Sequence, residues 1–171
     1  MTIAIALYAA IVATFSLSWT VASWLLSTGR AKVEFYKGVV HNGTKYALLP
    51  IPKSGDMHVE PDMVSASSVA AEPALFVLVR NVGRLPLTVE QVAFATKSGQ
   101  RYGTFGGPDY GKPFNCTIQP GSSENFGFRQ QGFKEFAAAT RGASAAGPVK
   151  IFAVVDLGTG KRITSKTRIR A

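Results

Sequence analysis

The feature that most constrains this chain is an apolar segment at its N-terminus. Residues Ile3 to Leu26 form an unbroken run of apolar and small residues, and no charged side chain precedes Arg30. As a helix, such a run of about 24 residues is roughly 36 Å long, which exceeds the hydrocarbon core of a bilayer, about 30 Å. The sequence therefore predicts a transmembrane helix within residues 1–28 and a separate domain over residues 29–171.

A cleaved signal peptide is the alternative interpretation of this segment. No Lys or Arg precedes the apolar run, and no clean A-x-A cleavage site follows it. The run is also longer than the 7–15 apolar residues of a typical signal peptide. These observations favour a retained helix and hence a single-pass protein of the cell membrane.

The charges that flank the span predict its orientation. Arg30, Lys32 and Lys37 follow it closely, together with one acidic residue, Glu34, whereas no charged side chain precedes it. Cytoplasmic flanks are enriched in Lys and Arg, so we expect the N-terminus outside and the domain in the cytoplasm. An extracytoplasmic domain is the alternative, because the two flanks of the span differ by only a few charges.

Small residues recur at every fourth position of the predicted helix. They are Ala6, Ala10, Thr14, Ser18 and Ala22. This spacing lets two helices approach closely, so it predicts packing against another membrane protein or a second copy of the chain. A span rich in Ala, Ser and Thr also contains such a stripe by chance.

Beyond residue 29 the apolar residues follow a period of two, which is typical of β-strands. Asn42-Gly43 is a strong signal for a hairpin turn between two such runs. Ala74–Val82 and Leu87–Phe94 are the clearest strands. In the second, the alternation of apolar and polar residues slips by one position, which predicts a β-bulge between Val89 and Val92.

The remaining elements complete the predicted fold. A short helix is expected at Phe133–Arg141, ended by Gly142, and a hairpin joins strands at Val149–Asp156 and Arg162–Arg168. A long loop is expected at about residues 52–73. Eight to ten short strands separated by Gly/Pro turns predict an all-β domain, an immunoglobulin-like β-sandwich containing one short helix.

The segment Val77–Thr96 carries the most specific pattern, two strands separated by a tight corner of Gly83, Arg84, Leu85 and Pro86. The corner has the form V-x-N-x-G-R-x-P-x-T-V. It resembles a group of uncharacterised actinobacterial single-pass membrane proteins that join one N-terminal helix to a small β-rich domain. The resemblance supports the fold and the membrane topology, and it implies no activity.

Signals for enzymatic chemistry are weak. Gly106, Gly111 and Lys112 fit part of a P-loop pattern, but Pro113 stands where Ser or Thr must bind magnesium. Transition-metal sites need three or four ligands in a defined geometry, and the one acidic and histidine-containing group is a polar stretch, His41, Asp56, His58 and Glu60. We therefore expect no enzyme, no cofactor, no metal and no small-molecule substrate.

The single thiol fits the same expectation. Cys116 lies between apolar neighbours, which is typical of a small buried side chain, and a catalytic thiol would need a base beside it. One cysteine also excludes an internal disulfide.

The basic C-terminal segment is a candidate contact for an anionic partner. The whole net charge of +9 belongs to residues 30–171, and five cations cluster near the end. They are Lys161, Arg162, Lys166, Arg168 and Arg170. We expect part of this segment to be a strand and part a tail that binds lipid or a protein. Nucleic acid is disfavoured because no aromatic residues interleave, and an edge strand protected by Lys and Arg is the alternative.

An aromatic loop is the other candidate contact surface. Four aromatic residues lie among glycines and prolines between residues 101 and 115. They are Tyr102, Phe105, Tyr110 and Phe114. Such loops on a rigid domain often bind proteins, and they equally fold back over the core.

Two functions are consistent with these features. The first is a non-enzymatic, membrane-anchored module for binding or assembly, such as an accessory subunit of a membrane complex. The second is a self-assembling structural protein of a phage or an envelope. The expected partners are membrane lipid and another membrane or envelope protein, a second copy included.

Overall fold

A computed structural model of the protein describes residues 2–27, 30–41, 45–51, 71–103, 106–143 and 149–170. Its elements, in chain order, are helix α1 (Thr2–Ser27), strands β1 (Ala31–His41), β2 (Lys45–Pro50), β3 (Ala71–Asn81), β4 (Leu87–Thr96), β5 (Arg101–Gly103), β6 (Tyr110–Gly111), β7 (Cys116–Ile118) and β8 (Ser123–Arg129), helix α2 (Gln130–Ala143), and strands β9 (Lys150–Leu157) and β10 (Arg162–Arg170).

Helix α1 is apolar on every side. The segment Ile3–Ser23 is long and apolar enough to cross a membrane, and none of its side chains is buried against the rest of the described structure. Two of its hydroxyls are satisfied within the helix, since Thr14 donates to the carbonyl of Ala10 and Thr20 to that of Ser16, both at 2.8 Å. A signal sequence near the N-terminus can also meet this criterion of length and apolar composition.

The strands form two sheets. The first has the order β2-β1-β3-β8-β6 and the second the order β10-β9-β4-β5, with β7 paired to β4 beside β5. Every pairing in the described part of the chain is antiparallel. The predicted β-rich fold, with one apolar N-terminal helix and one short helix, is confirmed at this level.

The two sheets share one apolar core. Alternate residues of the strands meet between the sheets, so Val77 and Phe126 of the first sheet and Val155 of the second are all fully buried. Phe94 lies at the centre, with ring centroids 5.0 Å from Phe128 and 5.2 Å from Phe133. Since Phe133 belongs to α2, this helix closes the core by packing its apolar face onto it.

A smaller apolar cluster covers the outer face of the first sheet. Phe76 of β3 is fully buried there, under the ring of Tyr46, whose centroid is 4.9 Å away. Gly38 and Gly127 on the neighbouring strands leave room for the Phe76 ring, because a Cβ on either would lie within 3.1 Å of it.

Several sequence predictions hold in detail. The β4–β9 register shifts between Val89 and Gln91, which confirms the predicted β-bulge. The hairpin of β9 and β10 is confirmed by their antiparallel pairing. The predicted Asn42-Gly43 turn lies outside the described residues, although the strands on either side pair with His41 opposite Lys45.

Other boundaries differ from the prediction. Strand β3 begins at Ala71, so residues 71–73 belong to a strand because they pair with β1; the rest of the predicted loop lies outside the described residues. Helix α2 begins earlier, at Gln130, where the Asp109 carboxylate accepts the N–H of Arg129 at 2.9 Å. The helix includes Gly142, so the prediction that Gly142 ends it is wrong.

Candidate functional site

The corner between β3 and β4 carries the chain from one sheet to the other. Asn81 at the end of β3 is fully buried and fixes the corner with its side-chain amide. Its Nδ2 donates to the carbonyls of Leu85, at 2.8 Å, and Ile118, at 3.0 Å. Its Oδ1 accepts the N–H of Gly83 at 2.9 Å. A buried amide with all these partners holds the corner in one conformation.

The outer surface of this corner is apolar and cationic. Val82 and Leu85 are 53% and 50% exposed. Outside α1, they and Tyr46 are the exposed large hydrophobic side chains of the described residues. Arg84, between the two, is also exposed.

The corner lies next to the chain that leaves α1. The N–H of Val82 donates to the carbonyl of Arg30 at 2.8 Å. Three peptide links separate Arg30 from Ser27, the last residue of α1. Since consecutive Cα atoms are about 3.8 Å apart, the corner is held within roughly 15 Å of the end of the helix.

A groove of about 710 Å³ opens beside the corner, where the first half of β1 lies along β10. Val82 is one of its walls. Among the charged residues that line it, five are cationic and one is acidic, namely Arg30, Lys32, Lys161, Arg162 and Lys166, with Glu34. Lys32 and Glu34 form an ion pair at 2.7 Å, and this hydrogen bond from Lys32 lowers the pKa of the Glu34 carboxyl, although partial burial opposes the effect. The groove is therefore positively charged.

The structure divides the basic C-terminal segment into two groups. Lys161, Arg162 and Lys166 line the groove, and Arg162 also forms an ion pair with Asp156 at 2.7 Å. Arg168 lies further along β10, exposed and opposite Phe152, and Arg170 is the last residue of this strand. The expectation of a tail is wrong for the segment up to Arg170, because Arg162, Arg168 and Arg170 of β10 pair with β9.

Asp156 joins three strands of the second sheet. It accepts hydrogen bonds from Arg101 of β5 at 2.8 Å and from Arg162 of β10 at 2.7 Å. Burial raises the pKa of its carboxyl, but the two guanidinium groups outweigh burial, and the pKa is lower than usual. A second groove of about 720 Å³ runs beside it, with Glu90, Gln91 and Asn115 in its walls.

The aromatic residues of the predicted contact loop turn towards the protein interior. Tyr102 stacks on Phe136 of α2 at 5.4 Å, and the half-buried Phe114 packs near Phe126. Tyr110 is 9% exposed, and its hydroxyl donates to Glu72 and lies 3.4 Å from Nε of Arg129. Tyr102, Phe114 and Tyr110 therefore follow the alternative prediction, in which the loop folds back over the core. Phe105 lies outside the described residues.

The small-residue stripe lies along α1 as predicted. Its five members are all exposed. Each is a neighbour of the next on the helix surface, so they form a continuous row that winds gradually around α1. They are Ala6, Ala10, Thr14, Ser18 and Ala22.

The structure also shows the surroundings of the thiol, the P-loop-like segment and the possible metal ligands that the sequence suggested for chemistry. Cys116 is half-buried against the core, and burial raises the pKa of its thiol. The P-loop-like segment forms strand β6 at Tyr110–Gly111 and not a loop that leads into a helix. No cluster of metal-ligating side chains occurs in the described ranges, and Asp56, His58 and Glu60 fall outside them.

No family model, curated protein or solved structure matches this chain. The sequence predicted the shape of the corner, but it did not predict a contact role for Val82, Arg84 or Leu85. The available signal was two large apolar residues on either side of a Gly-Arg pair within a turn, where polar residues are usual.

Proposed function

We propose that this chain is a non-enzymatic membrane protein in which one helix holds an immunoglobulin-like domain at the membrane for binding or assembly, for instance as an accessory subunit of a membrane complex. The observation that carries the proposal is α1. None of its apolar segment Ile3–Ser23 is buried against the rest of the described structure, while the described part of the domain has an apolar core of its own.

The energetics of α1 support a membrane environment. A fully buried Leu, Ile or Phe side chain gains about 1.5–3 kcal/mol over an exposed one. Phe15, Leu17 and Trp19 are each at least 67% exposed. A helix of this kind is stable when lipid or another helix covers it, and its length suits a bilayer.

The strand order supports an immunoglobulin-like sandwich. In that fold, strands A, B, E and D form one sheet and C, F and G form the other. Here β1, β3, β8 and β6 take the places of A, B, E and D, and β4, β9 and β10 those of C, F and G. Strand β5 extends the second sheet next to β4, and β2 is an additional strand beside β1.

The side chains available for chemistry support a binding role. The thiol of Cys116 has a raised pKa and packs against the core, so it is a poor nucleophile. The carboxylate of Asp156 is held by two arginines. The partners that suit this arrangement are membrane lipid and a membrane or envelope protein that meets the domain from the side. The positive charges after the helix favour a cytoplasmic domain.

A self-assembling structural protein is the second candidate. The exposed row of small residues on α1 favours it, because identical helices can pack closely along such a row. In this case the partner of the chain is a second copy.

Purification of the full chain from membranes in a mild detergent tests the proposal. A binding or assembly module is expected to carry a different polypeptide at a fixed stoichiometry. A homo-oligomer without other polypeptides would favour the self-assembling protein. A monomer that stays soluble without detergent would contradict both. Ala10→Leu together with Ser18→Leu should disrupt assembly along this row, and Ala9→Leu together with Ser16→Leu, on the opposite side of the helix, is the matched control.

A further inference from the structure

We infer that the corner between β3 and β4 binds the headgroup region of an anionic bilayer, so that the domain has a second contact with the membrane into which α1 inserts. The contact surface consists of Val82, Arg84 and Leu85 with the neighbouring groove cations Arg30, Lys32 and Lys161, and is called the membrane-contact surface below. This inference rests on the membrane anchoring proposed above.

The hydrogen bonds of Asn81 fix the corner in a conformation that exposes the apolar side chains of this surface. Asn81 closes the corner through its bonds to Gly83 and Leu85, while the side chains of Val82 and Leu85 remain half exposed. Peripheral membrane proteins place such apolar side chains at the boundary between headgroups and acyl chains. Because the corner is already ordered, its insertion requires little loss of conformational entropy.

The charged part selects an anionic surface. Arg84 lies within the corner, and Arg30, Lys32 and Lys161 line the groove that Val82 borders. Cations near an anionic bilayer surface each strengthen binding by about fivefold. One acidic residue, Glu34, lines the same groove.

The chain connection places this surface at the membrane. The backbone bond between Val82 and Arg30 fixes the corner to the segment that leaves α1, within roughly 15 Å of the helix end. The contact is therefore intramolecular, and its effective lipid concentration is high. Because the short connection to α1 keeps the corner beside the end of a helix that inserts into lipid, and because the surface is cationic, lipid is the favoured occupant.

The opposite end of the domain supplies an internal control. Strand β4 runs from Leu87, next to the corner, to Thr96, and its length is roughly 30 Å at about 3.3 Å per residue. Gln100 and Lys97 are exposed in the turn that follows. They should lie far from the bilayer when the corner contacts it.

The test uses the full chain in lipid nanodiscs with a polarity-sensitive nitrobenzoxadiazole probe. The probe is attached to Leu85→Cys in a Cys116→Ser background, in discs of phosphatidylcholine alone or with phosphatidylglycerol. We expect a blue shift and protection from an aqueous quencher in the phosphatidylglycerol discs. The same probe at Gln100→Cys should stay accessible to the quencher in both.

Charge variants test the choice of lipid. Arg84→Gln and Lys161→Gln should each reduce the ratio of protected to accessible Leu85 probe by about fivefold. Lys97→Gln removes the same charge at the far end of the domain and should leave the ratio unchanged.

Four results would overturn the inference, and they are distinguishable. Loss of the chain from the discs in alkaline carbonate would show that the membrane anchoring itself fails. Stable insertion with an equally quenched Leu85 probe in both lipids would refute the contact while leaving the anchoring intact. Protection that is equal in both lipids and insensitive to the charge variants would refute the anionic preference. Protection that requires a co-purifying polypeptide would identify a protein occupant.

Discussion

The side-chain amide of Asn81 donates to the carbonyl of Leu85 at 2.8 Å, and this hydrogen bond links the core of the domain to its proposed membrane contact. Asn81 is fully buried at the junction of the two sheets, whereas Leu85 is half exposed four residues later. One interaction thus closes the corner from one sheet to the other and holds the Leu85 side chain outward.

Substitution of Asn81 with Ala should destabilise the domain strongly. It removes the donor to the carbonyls of Leu85 and Ile118 and the acceptor for the N–H of Gly83, in a site that water does not reach. We expect the free energy of unfolding to fall by about 2–4 kcal/mol, measured by urea titration.

Asn125→Ala is the matched control for this prediction. Asn125 of β8 donates to the hydroxyl of Tyr46 at a long 3.3 Å, and its buried Oδ1 has no partner within the described residues. The expected loss is below about 1 kcal/mol. Equal losses for the two variants would contradict the role given to Asn81.

Gly127→Ala should destabilise the outer face of the first sheet. An added Cβ would lie 2.6 Å from Cε1 of Phe76 and 2.9 Å from the Cβ of Tyr110, and both neighbours are buried. We expect a loss of about 1–3 kcal/mol in thermal or urea unfolding. Gly106→Ala meets no described atom within 4 Å and should change stability by less than about 0.5 kcal/mol. A neutral Gly127→Ala would show that Phe76 does not occupy this position.

The ion pairs of Asp156 predict a pH-dependent part of the stability. Because the folded pKa is lower than the usual 3.8, the stabilisation is complete above that value and is lost as pH falls through the lowered pKa. Asp156→Asn should therefore be less stable than the wild type at neutral pH, and the difference should shrink in acid. Urea titrations over a pH series measure this, with Glu90→Gln from the same groove as control. A difference that is independent of pH would contradict the assignment.

The flanking charges predict that the domain is cytoplasmic. A single thiol at Gln100→Cys, in a Cys116→Ser background, should react with a membrane-impermeant maleimide after lysis and be protected in intact cells. Labelling of intact cells would place the domain outside and would show that the cations after α1 do not determine the orientation.

Local patterns of the sequence predicted local structure well. The slip in alternation at Val89 produced the β-bulge, and the turn before Lys161 joined β9 to β10. These features depend on neighbours within a few residues, so periodicity and turn chemistry were sufficient to find them.

Features that depend on distant pairing were not predictable in the same way. Alternation shows that β3 and β4 each have a buried face, but it does not show that the corner sends them to different sheets. The bond from Val82 to Arg30 joins residues far apart in the chain, so the sequence gives no sign that the corner lies beside the end of α1. The inward orientation of Tyr110 likewise depends on Glu72, which belongs to β3.

The most direct test of the account is whether α1 anchors the chain in a membrane. After alkaline carbonate extraction, the wild type should remain in the membrane pellet at its full mass. Ala13→Arg, near the middle of Ile3–Ser23, should shift the chain to the soluble fraction because a central Arg costs about 2.5–3.5 kcal/mol on insertion. Ala13→Leu, the matched control, should remain in the pellet. Release of the wild type into the supernatant, or a mature chain that has lost its N-terminal segment, would contradict the account.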